Sequence, residues 1–432
     1  MGNDHCGRRQ FLQRSAVSVA GMSLAANSTS GVASGAPSGN AASPDGQPQH
    51  TDAPDVTDKV DVLVVGGGTA GTIAAIQAAR AGAQTLIVER NSQLGGTTTT
   101  AGVAFPGLFD AWGKQIIAGI GWELVSESVE LDRGKLPDFS KVPRRHWQNQ
   151  VRVNQFLYAI LAEDKCAEAG VRIAYYEFPR KLTRTAEGWQ VDCVGFGTQR
   201  RVLCKQIVDC TGGASVVAML GLPRLREEQT QPGSIRFMLG SANSPGRGAL
   251  QSLYVHGADS STSRSVTAAN LEGRRSVLAK VRHRKRRLMH LQPETGFRES
   301  YRILGETLIT VGDYTSGRKF DDAVCNAFYP VDLHTKRGVK PKPLAEGVVP
   351  TIPLRALIPK NSRNIIVAGR CLSSDRLANS GLRVQASCMA MGQAAAVAAA
   401  LAARRGTTPL KVPLDEIHGL LREHGAIVPK ST

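Results

Sequence analysis

Aromatic side chains make up only 5% of this 432-residue chain, and residues 216–345 hold too few to suggest a stacking platform for long glycans. No two cysteines stand at C-x-x-C spacing, so a redox disulfide, a cysteine-rich zinc site and an iron–sulfur cluster all lack support, and no metal ligand set is assigned. Of eight cysteines, Cys6 falls in the N-terminal leader. The other seven (Cys166, Cys193, Cys204, Cys210, Cys325, Cys371, Cys388) are scattered and odd in number. That argues against a complete disulfide framework and for buried small apolar side chains. No apolar run reaches the roughly 18 residues that span a bilayer, so no transmembrane helix is expected after the N-terminus. Acidic residues are outnumbered 36 to 53 by lysine and arginine. Eight of those cations lie in the fourteen residues 274–287, without interleaved aromatics or any nucleic-acid module. The expectation is a solvated helix face or a contact with an acidic surface, and no nucleic acid.

The 42% hydrophobic content excludes general disorder and allows two or three folding units. Arg8-Arg9-Gln10-Phe11-Leu12, followed by the mildly apolar Ser15–Ala26, resembles a twin-arginine signal peptide. The expectation is export to the periplasm or another extracytoplasmic space, with residues 1–26 as the signal. Residues 27–58 are Gly, Ser, Pro, Ala and Asp with few large apolar groups, and read as a flexible tether. Folding is expected to start near Lys59.

What the chain does have begins there. Val60–Val65 is a short β-branched run, as a strand buried on both faces requires. It runs into Gly66, Gly68 and Gly71, a G-x-G-x-x-G spacing. The first glycine turns the chain, the second lets backbone approach a pyrophosphate, and the third lets helix and sheet pack closely. The spacing predicts an alanine-rich helix over 70–81, whose positive end faces the phosphates beside Thr69 and Ala70. A second strand, Gln84–Val88, delivers Glu89 18 residues past Gly71, near the spacing of roughly 20 for an acid that holds a ribose hydroxyl pair. Arg90 and the Gly95-Gly96-Thr97 turn extend the fingerprint, with amides placed to reach the pyrophosphate from its other side. Next come a helix over 153–170 with Phe156, Leu157, Ile160 and Leu161 on one face, a strand over 171–176, and a hairpin region. A buried strand then ends in Thr211-Gly212.

Taken with these elements, Leu354–Pro359, Asn364–Ser373 and Cys388–Ala395 resemble the FAD-dependent oxidoreductases of the glutathione-reductase type-two class, over roughly residues 59–405. The resemblance implies an α/β fold. A Rossmann-like FAD-binding domain, a parallel sheet with helices and a β-meander, comes in two parts (59–215 and 346–405). An inserted α+β substrate domain covers the ring (216–345), and a C-terminal helix and tail follow (406–432). It implies FAD as cofactor and adds Gly369, Arg370, Gly392 and Gln393 to the cofactor residues, with a helix beginning near Met391 aimed at the flavin. Where relatives carry a His-Gly-Ser-like element, this chain reads Asn379-Ser380-Gly381, so a role for that histidine is absent or transferred.

A second G-x-G-x-x-G is missing, and with it a site for NADH. The expected enzyme takes a hydride from a small polar or carbohydrate-like substrate to flavin N5. Electrons then go to a quinone, a redox protein or dioxygen. Alternatives are a flavin-dependent lyase or hydrolase without net redox chemistry, and an envelope polymer-binding module using residues 274–287. His334 is the leading base, because imidazole titrates near working pH. Arg298, Arg302, Arg370 and Arg383 are candidates for holding a carboxylate or hydroxyls. Asp332 or Asp375 would orient the base, and Tyr329 would donate to a developing oxyanion.

Overall fold

In the computed structural model, the described residues are 54–241, 244–284 and 286–430. The expected signal segment, residues 1–26, and nearly all of the expected tether lie outside them. A seven-stranded sheet forms the centre. Its order runs Arg172–Tyr175, Thr85–Glu89, Val56–Val65, Thr198–Asp209, Trp189–Gly195, Phe178–Arg184. The first four are parallel, because helices return the chain across the sheet, and the last two join as an antiparallel meander. Ile365–Val367 pairs in parallel with Ile207–Asp209, beside the end of the meander. The first strand starts at Val56, earlier than the expected Lys59, because buried Asp58 is ion-paired to both Arg172 and Arg200.

Register decides where chemistry can happen. Val65 stands opposite Val88 on one side and Asp209 on the other, and Val367 is also opposite Asp209. Four parallel strands therefore end together and deliver Gly66, Glu89, Cys210 and Ala368 to one edge, the carboxyl edge where open α/β sheets bind ligands.

The helices Thr69–Arg80 and Gln385–Arg405 pack against this sheet through small residues, among them the buried run Ala394–Ala400. The second helix is long and apolar enough to cross a membrane, yet 94% of its apolar stretch is buried inside the protein. It starts at Gln385, six residues before the expected Met391, and this displaces two predicted cofactor residues. A Cβ on Gly392 would stand 2.2 Å from the Ala70 carbonyl oxygen, so this glycine serves the helix crossing. Gln393 is buried between the same helices, donating to Gln77 Oε1 (3.0 Å) and to the His424 carbonyl (3.1 Å). Neither borders the cavity described below.

The helix Gln155–Glu168 also corrects its expected face. Phe156 and Ile160 are 61% and 63% exposed, while Tyr158, Leu161, Ala162 and Cys166 are buried. The Asn154 cap, accepting from the Phe156 and Leu157 amides, sets the rotation. All seven described cysteines are free and buried.

A second, antiparallel sheet has Gly233–Ser241 between Ser244–Val255 and Arg287–Leu291. With the helix Ser263–Arg284 it encloses its own small core, centred on Ile235, Phe237, Leu239, Val277 and Phe297. The stretch from Ile309 to Leu344 instead contributes to the main core. On the basic helix Arg275 pairs with Glu272 at 2.7 Å, and both are exposed.

Candidate functional site

A cavity of about 610 Å³ opens at the carboxyl edge of the main sheet, within the range usual for small-molecule sites. Gly66 has φ +97°, and a Cβ there would sit 2.8 Å from the Cys210 carbonyl oxygen. The turn therefore needs glycine on both conformational and steric grounds. A Cβ on Gly71 would come within 1.8 Å of the Gly66 carbonyl oxygen, so the third glycine does fit helix to sheet. Gly68 differs from both. It caps the helix without any side-chain cap, borders the cavity, and a Cβ on it would meet no protein atom within 4 Å. The helix thus presents uncapped first-turn amides and its positive end at the cavity wall, the arrangement that suits a pyrophosphate.

The second glycine pair is fastened to the first. Gly95 N donates to Gly67 O at 2.8 Å, and Thr69 Oγ1 donates to Gly95 O at 3.3 Å. Glu89 is buried, accepting from Gly67 N on Oε2 (2.6 Å) and from Asn91 N on Oε1 (2.8 Å). Burial pushes its carboxyl above the usual range, against those two amides. Glu89 therefore braces the glycine loop as well as bordering the cavity.

Of the predicted cofactor residues, Gly66, Gly68, Thr69 and Ala70 border the cavity from the first loop. Glu89, Arg90, Gly96 and Thr97 border it from the second, and Thr211, Gly212, Gly369 and Arg370 from the ends of the later strands. Gly71 and Gly95 shape the loops from behind. An uncapped helix end, a bare Gly68 face and a carboxylate one strand away fit FAD, whose pyrophosphate would lie at Gly68–Ala70 and a ribose at Glu89.

Two buried charges hold the far wall. Asp209 accepts from Thr211 N, Thr211 Oγ1, Val216 N and Val217 N at 2.7–3.3 Å, which fixes the Thr211-Gly212 turn. Arg370 donates through Nε to Gly212 O (2.6 Å), through Nη1 to Phe297 O (2.6 Å) and through Nη2 to Ser260 Oγ (2.9 Å). It ties the main sheet to the second sheet's layer. Arg370→Leu would strand two buried carbonyls, and is expected to cost about 3 kcal/mol, measured as a lowered urea midpoint.

The predicted substrate residues separate cleanly. His334, Asp332, Tyr329, Arg298 and Arg383 border the same cavity. Arg302 does not. It is buried, donating to Ser374 O (3.0 Å) and Glu227 Oε1 (2.8 Å), and is a structural strut. Asp375 caps the helix Arg376–Leu382 through Ala378 N and takes Val311 N, so the carboxylate beside the histidine is Asp332. His334 Nε2 lies 3.0 Å from Asp332 Oδ2, and Nδ1 lies 2.8 Å from the Tyr254 hydroxyl. Burial, aided by Arg298 and Arg383, lowers the imidazole below its ordinary range even though Asp332 opposes the shift. Burial pushes the Tyr329 phenol above its ordinary range, and its oxygen accepts from Gln150 Nε2 at 3.3 Å. In the departing segment Ser380 Oγ accepts from Asp332 N at 3.0 Å. The serine there fixes the backbone of Asp332, whose carboxylate orients His334.

Sequence reasoning missed Tyr254, Gln231 and Arg236. Arg236 had a signal. In Gly233–Ser241, Ile235, Phe237 and Leu239 are buried in the core while Ser234 and Arg236 alternate with them and border the cavity, the period-two pattern of a strand with one polar face.

The sequence model of the family described as "FAD dependent oxidoreductase" matches residues 61–272 and 255–421. The thiamine thiazole synthase of Methanococcus vannielii is 30% identical over 169 residues, 38% of this chain and 60% of that protein. The chain thus spans less than two thirds of that curated relative. Among solved structures, the OxyS anhydrotetracycline hydroxylase from Streptomyces rimosus is similar at 15% identity and TM-score 0.46, covering 85% of this chain and 66% of that one. A geranylgeranyl bacteriochlorophyll reductase-like protein from Thermoplasma acidophilum is similar at 13% identity and TM-score 0.44, covering 85% and 84%.

Proposed function

The chain belongs to the FAD dependent oxidoreductase family, and we propose that it oxidises a small polar substrate, with His334 taking the substrate's proton. Bound FAD supplies the two-electron acceptor. The observation that carries the proton role is the line Asp332–His334–Tyr254. Against burial, His334, Arg383 (3.6 Å) and Arg298 hold the Asp332 carboxyl below its ordinary range, so Nε2 carries the hydrogen donated to it. Nδ1 is then the accepting atom, occupied by the Tyr254 hydroxyl. A substrate hydroxyl or amine that replaces Tyr254 there hands its proton to Nδ1, and Asp332 stabilises the imidazolium.

The base works only when neutral. Because its folded-state pKa lies below the ordinary 6.5, the rate of anaerobic flavin reduction should rise with pH through a midpoint below 6.5 and be flat above neutrality. Asp332→Asn removes the one opposing charge, so the midpoint should move lower still, while the rate plateau falls as the wrong tautomer forms. A limb centred at or above pH 7, or one indifferent to Asp332, would exclude His334 as the base.

The remaining readings are part of the same proposal. The pairing of Ile365–Val367 with Ile207–Asp209 supports membership of the glutathione-reductase type-two class. A single dinucleotide fingerprint in the sequence supports an acceptor other than NAD: a quinone, a redox protein or dioxygen. Arg8-Arg9 supports twin-arginine export. In the full chain, Arg8→Lys with Arg9→Lys should leave the protein in the cytoplasmic fraction, and unchanged export would remove that reading.

A further inference from the structure

Three guanidinium groups meet at the His334 end of the cavity wall with little to neutralise them. Among the described residues Arg298 donates from Nη1 to Pro232 O (2.6 Å), and it lies 5.4 Å over the Tyr254 ring. Arg236 packs 4.6 Å from the Phe105 ring centroid, and its Nε is buried without a partner. Arg383 donates through Nη2 to Asp332 O (3.3 Å) and Gln231 Oε1 (3.5 Å) and stands 3.6 Å from Asp332 Oδ2, while its Nε is buried and unpartnered. Of the four carboxylates that border the cavity, Asp332 is taken by His334, Glu89 by two backbone amides, Glu177 by Arg200 (2.7 Å) and Glu294 by Arg90 (3.9 Å). Glu299 is held by Arg376 (2.9 Å) and Gln231 (2.6 Å). Burying guanidinium groups without counter-charge is costly. The strain shows at Arg298, where burial first and Arg383 second pull its pKa down to about 10.

We propose that the donor oxidised here is a small carboxylic acid, its carboxylate held between Arg298 and Arg383 with Arg236 adding charge. The proposal rests on the reading of this cavity as the flavin oxidation site and narrows it. Planar guanidinium forks match a carboxylate in two-point contact, and such an anchor leaves the α-hydroxyl or α-amine beside His334. An uncharged polyol or sugar would leave the three cations as they stand.

Oxalate, oxamide and inorganic phosphate are the probes, titrated calorimetrically and by the flavin spectrum into FAD-loaded protein. Oxalate should bind, and oxamide, its uncharged counterpart, should bind at least 100-fold more weakly. Arg298→Met and Arg383→Met should each weaken oxalate at least tenfold with FAD content unchanged. The wild-type comparison of oxalate with oxamide stands even if neither variant folds. Equal binding of oxalate and oxamide, or phosphate binding more tightly than oxalate, overturns the carboxylate assignment. Flavin bleached by a neutral polyol in protein that ignores oxalate overturns it while leaving the oxidoreductase reading intact. Protein that takes up no FAD overturns both.

Discussion

Gly68→Val is expected to yield folded, colourless protein. A Cβ at position 68 meets no protein atom within 4 Å, and the residue's φ of −69° with extended ψ is open to any L-residue. Folding stability should therefore change by less than about 1 kcal/mol. The added isopropyl group, however, points into the cavity wall where the uncapped amides of Thr69 and Ala70 would take the pyrophosphate, and it bars the approach of the ligand to backbone. FAD affinity should fall at least 100-fold, measured by flavin retained after gel filtration and by titration of apoprotein. Gly71→Ala separates the two roles of the motif. Its Cβ would lie 1.8 Å from the Gly66 carbonyl oxygen, a backbone atom that cannot rotate away. The loss there should appear first as stability, on the order of 3 kcal/mol or more. If both variants lost FAD with equal loss of stability, Gly68 would be a packing residue and the pyrophosphate would lie elsewhere.

His334→Asn should keep the yellow colour and lose the reaction. The imidazole makes two hydrogen bonds, Nε2 to Asp332 and Nδ1 to Tyr254, and the residue's backbone N–H donates to Gln231 Oε1 (3.0 Å). None involves the glycine loop, so FAD content should stay within a factor of two. A positioned general base contributes about 10² to 10⁴ in rate, and anaerobic flavin reduction by a reactive donor should fall by that much. Tyr254→Phe frees Nδ1 and is expected to change the rate less than about tenfold. A His334→Asn enzyme reduced at the wild-type rate, with Tyr254→Phe inactive, would transfer the proton role to the tyrosine.

Legibility in the sequence followed the range of the interactions. The strand–glycine–helix–strand segment from Val60 to Glu89 could be read because each feature is local: β-branched residues, glycine spacing, alanine content and an acid at a set distance. The same holds for Thr211-Gly212 and Gly369-Arg370, which follow strands of recognisable composition. The expected helix start near Met391 failed, the helix beginning at Gln385, because Gly392 and Gln393 look like a glycine turn in one dimension. In three dimensions Gly392 is needed where Ala70 crosses, and Gln393 closes a buried polar contact with Gln77, 316 residues away in the chain. Arg302 and Arg383 are alike as residues, yet Arg302 answers Glu227 while Arg383 has an unpartnered Nε. Only the packing of separate segments distinguishes a strut from a free donor. Tyr254 was invisible for a similar reason, since its meaning comes from His334, 80 residues later.

One Rossmann-like cavity at the carboxyl edge of the sheet is proposed to hold FAD through the Gly66–Gly71 loop. The visible absorption spectrum of the purified chain, recorded with Gly68→Val and His334→Asn beside it, tests this most directly. The wild type and His334→Asn should show the oxidised flavin band, bleach with dithionite and release about one FAD per chain on denaturation, while Gly68→Val shows none. A wild-type chain that is colourless and stays so after incubation with FAD would contradict the account.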